Sequence, residues 1–146
     1  MTNRLLTITV ILSLCCALVA QTMPRVEGIT IGMTTDQVVQ HLGKKYKFVD
    51  TIGKSAIAGQ DFGLIYGSGD NAIEIMFTFG RVSSVEGYHF TDTKGRIFGR
   101  GVPKSQLVKA LGKAKDSGPN SLLYLFGSRR LIIDFELDRV ASFALE

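Results

Sequence analysis

Residues able to do covalent or proton-transfer chemistry are few in this chain of 146 residues. Its two histidines, His41 and His89, are far apart, and neither has a cysteine nearby. Zinc sites need three or four such ligands at short spacing, so these read as a helix-surface and a sheet histidine. Gly53-Lys54-Ser55 has the ending of a phosphate-binding loop, but Phe48 stands where that loop needs its first glycine. A flexible turn fits better. Ser68, in Tyr66-Gly67-Ser68-Gly69, lacks the Gly-x-Ser-x-Gly elbow of a serine nucleophile. Its counterpart Ser128 also follows a glycine, which points to a turn. Gly99-Arg100-Gly101 opens a helix, and its amides with Arg96 and Arg100 could hold an anion; a connector between two halves explains it more simply. The carboxylates Glu74, Asp134 and Glu136 fall on strands in different halves, as a solvated face would place them. The chain reads as non-catalytic, with no cofactor and no metal.

Composition is that of a folded protein. The chain is 45% hydrophobic and 21% charged, with 16 Gly and 3 Pro, which rules out disordered and collagen-like classes. A formal charge of +4 is too small a surplus to predict a nucleic-acid partner. The basic residues Lys44, Lys45, Lys47, Arg96, Arg100, Lys104, Lys109, Lys113 and Lys115 gather around the helices. They read as a solvated helix face, or as a side able to meet an anionic membrane.

The positioning elements are written twice. Ile31–Lys45 aligns without gaps on Arg100–Ala114, with six of fifteen positions identical, where chance gives about one. Thr34 with Gln37 forms a capping box, and Pro103 suits the first turn of the second helix. Val38 and Leu42, like Leu107 and Leu111, share one helix face, and Gly43 and Gly112 fit left-handed C-caps. Strands follow. Ile73, Ile75, Phe77 and Phe79 alternate with Glu74, Met76 and Thr78, and Leu131, Ile133, Phe135 and Leu137 alternate with Ile132, Asp134 and Glu136. Gly80-Arg81 and Asp138-Arg139 are turn signals leading to strands near Val82–Phe90 and Val140–Leu145, although Val82, Val85 and Tyr88 do not keep one parity. Tyr46–Asp50, Leu64–Tyr66 and Leu122–Phe126 supply further strands. The fold class is therefore α+β: two tandem repeats, each a short helix plus an antiparallel β-meander, with sheets joined into one surface and helices on one face.

Two copies of Gly-Met-Thr-x-x-x-Val-x-x-x-Leu-Gly ahead of a meander resemble a known superfamily. It contains the small outer-membrane assembly lipoproteins of the BamE (SmpA/OmlA) type and the β-lactamase inhibitory protein. Gly32-Met33-Thr34, Val38 and Leu42-Gly43 match in the first copy; Gly101-Val102-Pro103, Leu107 and Leu111-Gly112 match more loosely in the second. The tandem form is similar to the inhibitory protein, whose two repeats join into one saddle-shaped sheet. The resemblance implies a protein that binds other proteins and does not catalyse.

Residues 1–20 have one basic residue, Arg4, before an apolar run from Leu5 to Ala20, the order of a secretory signal. Cleavage after Ala20 removes Cys15 and Cys16 and leaves the first repeat over 21–94 and the second over 95–146. An uncleaved helix, or a lipid on Cys15 or Cys16, is the alternative. The expected function is an exported protein-binding module using an open sheet face of Glu74, Met76, Thr78, Ile132, Asp134 and Glu136. Its partner would be another exported or envelope protein. The alternative is an envelope assembly protein, lipid-anchored or held to the membrane by the N-terminal segment or the basic helix side. If the loop Ile52–Asp61 folds over the sheet, that face is instead a second small core.

Overall fold

In the computed structural model, residues 23–50 and 61–146 are described. The export segment and the Gly53-Lys54-Ser55 turn lie outside them, as does nearly all of the Ile52–Asp61 loop. The elements run β1 (Arg25–Val26), α1 (Thr35–Leu42), β2 (Tyr46–Asp50), β3 (Phe62–Tyr66), β4 (Ile73–Thr78), β5 (Arg81–Gly87), β6 (His89–Thr91), β7 (Ile97–Gly99), α2 (Lys104–Leu111), β8 (Asp116–Ser117), β9 (Ser121–Phe126), β10 (Arg129–Glu136) and β11 (Arg139–Leu145). An eight-stranded antiparallel sheet has the order β2-β3-β4-β5-β11-β10-β9-β8, and a second sheet has the order β1-β6-β7. The fold class is α+β. Neither described helix is long and apolar enough to cross a membrane.

The sequence signals act locally as physical chemistry requires. Thr34 Oγ1 accepts from the Gln37 amide at 3.3 Å, and Gln37 Oε1 accepts from the Thr34 amide at 2.9 Å, closing the capping box. Pro103 stands one residue earlier than expected, as the N-cap of α2, and has no side-chain bond to offer. Gly43 and Gly112 have φ of 92° and 84° with extended ψ, a glycine-only region beyond the expected left-handed helical cap. Each helix buries one residue completely, Val38 or Leu107. Two-turn helices are unstable alone, so these depend on the sheet beneath them.

The inner sheet face carries Leu64, Ile75, Phe77, Val85, Leu131, Ile133, Phe143 and Leu145 in one core. Two aromatic groups brace it. Phe62 stacks on Phe48 and Phe77, and Phe90 lies against Phe98, Phe126 and Phe143. The parity conflict after Val82 has a physical cause. Val82 pairs with Phe77 and Ser84 with Met76, so Ser83 is an extra residue that turns Val82 and Val85 to the same side. The same insertion occurs at Ala141, between Val140 opposite Phe135 and Ser142 opposite Asp134.

Three expectations are corrected. Phe79 and Leu137 do not continue the inward alternation. Each is the first central residue of a two-residue hairpin turn, at φ 50°, and they are 90% and 92% exposed. The turns thus centre on Phe79-Gly80 and Leu137-Asp138, one residue before the predicted positions. Finally, Val82–Phe90 is not one strand. Past Gly87 the chain leaves the large sheet, and β6 joins β1 and β7.

Glu27 holds that departure in place. Its Oε1 accepts from the amides of Tyr88 at 2.6 Å and His89 at 2.9 Å and lies 3.2 Å from His89 Nδ1. A Cβ at Gly87 would stand 2.5 Å from Glu27 Cγ, so a side chain there would displace the Glu27 carboxylate. In the β6–β7 turn, Asp92 is only 3% exposed and accepts from the Lys94 and Arg96 amides and from Arg96 Nε. Burial pushes the Asp92 carboxyl up, but bonds from the Arg96 amide and side chain, the Lys94 amide and the Arg96 charge outweigh it. The carboxyl is held below its ordinary value.

Two predictions follow from these carboxylates. Glu27→Ala strands two amides and is expected to cost about 2 kcal/mol. Glu27→Gln, which keeps an acceptor oxygen, should cost less, both read from urea midpoints at constant slope. Because the Asp92 pKa is lowered on folding, its stabilisation is complete above the unfolded value, about 3.9, and is lost as pH falls through the lower folded value. The stability gap between wild type and Asp92→Asn should be constant near neutral pH and shrink below about pH 4.

Candidate functional site

The pairing register places Glu74, Met76, Thr78, Ile132, Asp134 and Glu136 on the outer face of the large sheet, opposite the helices. One row crosses all eight strands: Lys47, Ile65, Glu74, Glu86, Ala144, Ile132, Leu123 and Asp116 are successive partners. Glu74 and Ile132 share this row, three strand spacings apart, about 14 Å. Met76 and Thr78 extend from it along the strands one way, Asp134 and Glu136 the other, because β5 and β11 run antiparallel. The six residues therefore share a face but occupy diagonal corners. Met76 and Ile132 are half-buried between their neighbours.

One member of the face was missed. Glu86 lies directly across from Glu74, where side chains on neighbouring strands are about 5 Å apart at Cβ. Like charges in that position repel. Both side chains are exposed, and among the described residues neither forms an ion pair. The sequence hides this pair, because its strand partner is set by the Ser83 bulge. Apolar side chains flank it: Ile65 and Ala144 in the same row, and Met76 one pleat away. Glu74 and Asp134, by contrast, are about 16 Å apart by strand geometry. That is too far for the two carboxylates of a glycosidase-type pair, at most about 9.5 Å.

The remaining candidates resolve into structural roles. The amides of Arg100 and Gly101 donate to Tyr88 O at 2.9 Å and Val140 O at 2.8 Å, so neither is available to an anion. The Arg100 guanidinium lies over the Tyr88 ring at 4.2 Å and bonds Ala141 O and Asn71 Oδ1. Ser68 precedes the 3-10 turn Gly69–Asn71, and Ser128 lies in the β9–β10 turn. Both histidines meet at one turn: His89 at the Glu27 carboxylate, and His41 with Nε2 at 3.2 Å from Glu27 O. No group of three His, Cys, Asp or Glu among the described residues is placed to hold a metal.

Paired bonds recur between the halves. Arg81 donates to Gly32 O at 3.0 Å, and Arg139 to Gly101 O at 2.9 Å. Tyr66 OH donates to Gly43 O and Tyr124 OH to Gly112 O. Burial raises the pKa of both phenols, with the Tyr46 charge adding to it at Tyr66. Their protonated hydroxyls thus tie each helix end to the sheet.

No family model matches the chain, and no curated protein matches it. Among solved structures, it superposes on an extracellular protein containing a SCP domain from Bacillus anthracis str. Ames, with a TM-score of 0.44 and 6% identity. The match covers 79% of this chain and 43% of the other, so this chain spans less than half of that protein's length.

Proposed function

We propose that this chain is an exported, non-catalytic protein-binding module that works through the outer face of its large sheet. The observation that carries the reading is the opposed Glu74–Glu86 pair set among Ile65, Met76 and Ala144. A face that only meets water gains nothing from opposing two like charges or from turning Met76 and Ile132 outward. A partner offering a Lys or Arg between the carboxylates, with apolar groups around it, relieves the repulsion and buries the apolar side chains. The partner is another exported or envelope protein.

The module is a duplicated unit, with repeats over 21–94 and 95–146. The gapless sequence match, the bulges at Ser83 and Ala141, and the paired Arg and Tyr bonds support this. Its resemblance to the BamE-type and β-lactamase inhibitory protein superfamily agrees with a binding role. The apolar N-terminal run supports export.

Glu86→Lys tests the reading by separating stability from binding. Opposite Glu74 it replaces repulsion with attraction, so the isolated chain should gain about 0.5 kcal/mol in denaturant melts. The same change should weaken partner binding at least about tenfold, measured after capture of the partner from envelope extract on immobilised wild type. Ile132→Asp should weaken binding similarly, whereas Lys109→Gln, on the helix side, should leave it unchanged. Equal capture by wild type and Glu86→Lys refutes the sheet-face role.

A further inference from the structure

The charge of the chain is unevenly placed. Residues 21–94 hold seven Lys and Arg against eight Asp and Glu, while 95–146 hold nine against five. Of the five acids, Asp134, Glu136 and Asp116 belong to the outer face, Glu146 pairs with Arg130, and Asp138 is in a hairpin turn. Asp138 lies beside Lys104 and Lys109 of α2, so the cations of this helix side without a neighbouring acid from residues 95–146 are those near the C-terminal end of α2.

Several of these cations meet in one place. A groove of about 410 Å³ lies between the β6–β7 turn, the C-terminal end of α2 and strand β9, lined by Asp92, Lys94, Arg96, Lys113, Lys115 and Tyr124. Its single carboxylate is already spent. Asp92 is locked to Arg96 at 2.7 Å, and Arg96 also donates to Ala110 O at 2.9 Å, which fixes the turn against α2. That leaves Lys94, Lys113 and Lys115, exposed and without an ion pair among the described residues. They come from both sides of the groove, and the Arg96 brace holds those sides together. Like charges on one groove repel, and a bound anion removes that cost.

We infer that this groove is a binding site for a phosphate-bearing polyanion. Three ammonium groups suit phosphate because each is a compact point charge with three freely turning donors, and such sites do not need the planar fork of arginine. Their spread over two walls favours a ligand with several anionic groups over a single small ion. The phosphates can come from a soluble polyphosphate chain or from lipid headgroups, and the experiment separates these sources. The inference goes beyond the sheet-face reading and does not rest on it, since the groove residues are not in the outer-face row.

The test titrates the full chain with sodium polyphosphate and, separately, with vesicles of phosphatidylcholine with and without phosphatidylglycerol. The triple variant Lys94→Gln/Lys113→Gln/Lys115→Gln is compared with Lys44→Gln/Lys45→Gln/Lys47→Gln, which loses the same charge elsewhere. Circular dichroism checks the fold of both. The groove variant should lose at least about tenfold in affinity while the control keeps most of it, and binding should weaken as salt rises. Loss confined to polyphosphate identifies a soluble polyanion. Loss confined to the phosphatidylglycerol vesicles identifies lipid phosphates. Equal loss in the two variants, or no binding by wild type to either probe beyond that to phosphatidylcholine alone, overturns the site. A groove variant that still captures the sheet-face partner keeps the two readings separate.

Discussion

Three residue pairs hold the large sheet together across its middle. Val85 with Leu145, Glu86 with Ala144 and Gly87 with Phe143 are the register that joins β5 to β11. On either side lie four strands that are consecutive in sequence and pair as a meander. The seam is short, so backbone bonding alone would hold it weakly. Val85, Phe143 and Leu145 are fully buried, and Phe90 from β6 lies on Phe143 at 5.6 Å. Apolar burial at about 25 cal/mol per Å² supplies the missing stability. The small sheet acts as a lid over the seam, and Glu27 is its fastening. Because Glu27 bonds the backbone just where the chain leaves β5, the seam ends at Gly87 and the lid begins at His89.

The hairpin turns show where the halves store strain. A bulky side chain at positive φ is disfavoured, yet Phe79 and Leu137 both adopt φ 50°. Bonds around the turns hold them there. Asp61 accepts from the Phe79 amide at 2.5 Å, and the Lys104 amide donates to Asp138 O at 2.9 Å. Arg81 and Arg139, the next residues after the turns, reach back to glycine carbonyls ahead of the helices. Each hairpin is thereby tied to the start of a helix, and each helix end is tied to the sheet by a tyrosine. Helices of two turns are held at both ends and through one buried residue, and need no longer hydrophobic stripe.

The two exposed sides have different chemistry. On the outer face, opposed acids sit among apolar residues, and on the helix side of the second half lysines surround a carboxylate that is already paired. Neither arrangement helps the isolated chain, since each brings like charges together. Both become favourable with a ligand of opposite charge. The two proposed ligands, a basic protein surface and a polyanion, would meet different sides of the chain, so binding of one need not exclude the other.

Much of this architecture is legible in the sequence, because its signals are local. The capping box at Thr34, the glycines after Leu42 and Leu111, and the alternation of Ile73–Phe77 and Leu131–Phe135 act within a few residues, and the structure keeps each. Alternation also fixed which of Glu74, Met76, Thr78, Ile132, Asp134 and Glu136 share a face. It failed at Phe79 and Leu137, since period-two patterning cannot tell the last inward residue from the first turn residue. It failed again at Val82–Tyr88, where one bulged residue reverses parity. Residues brought together by non-local pairing left no trace in the sequence. Glu86 opposite Glu74, both histidines at Glu27, and Lys94 facing Lys113 and Lys115 are all of this kind. The sequence by itself determined the elements and their faces, because hydrogen bonding and side-chain direction repeat with fixed local periods. The tertiary structure alone decided which charges meet, because that depends on strand register, on bulges and on the seam between β5 and β11.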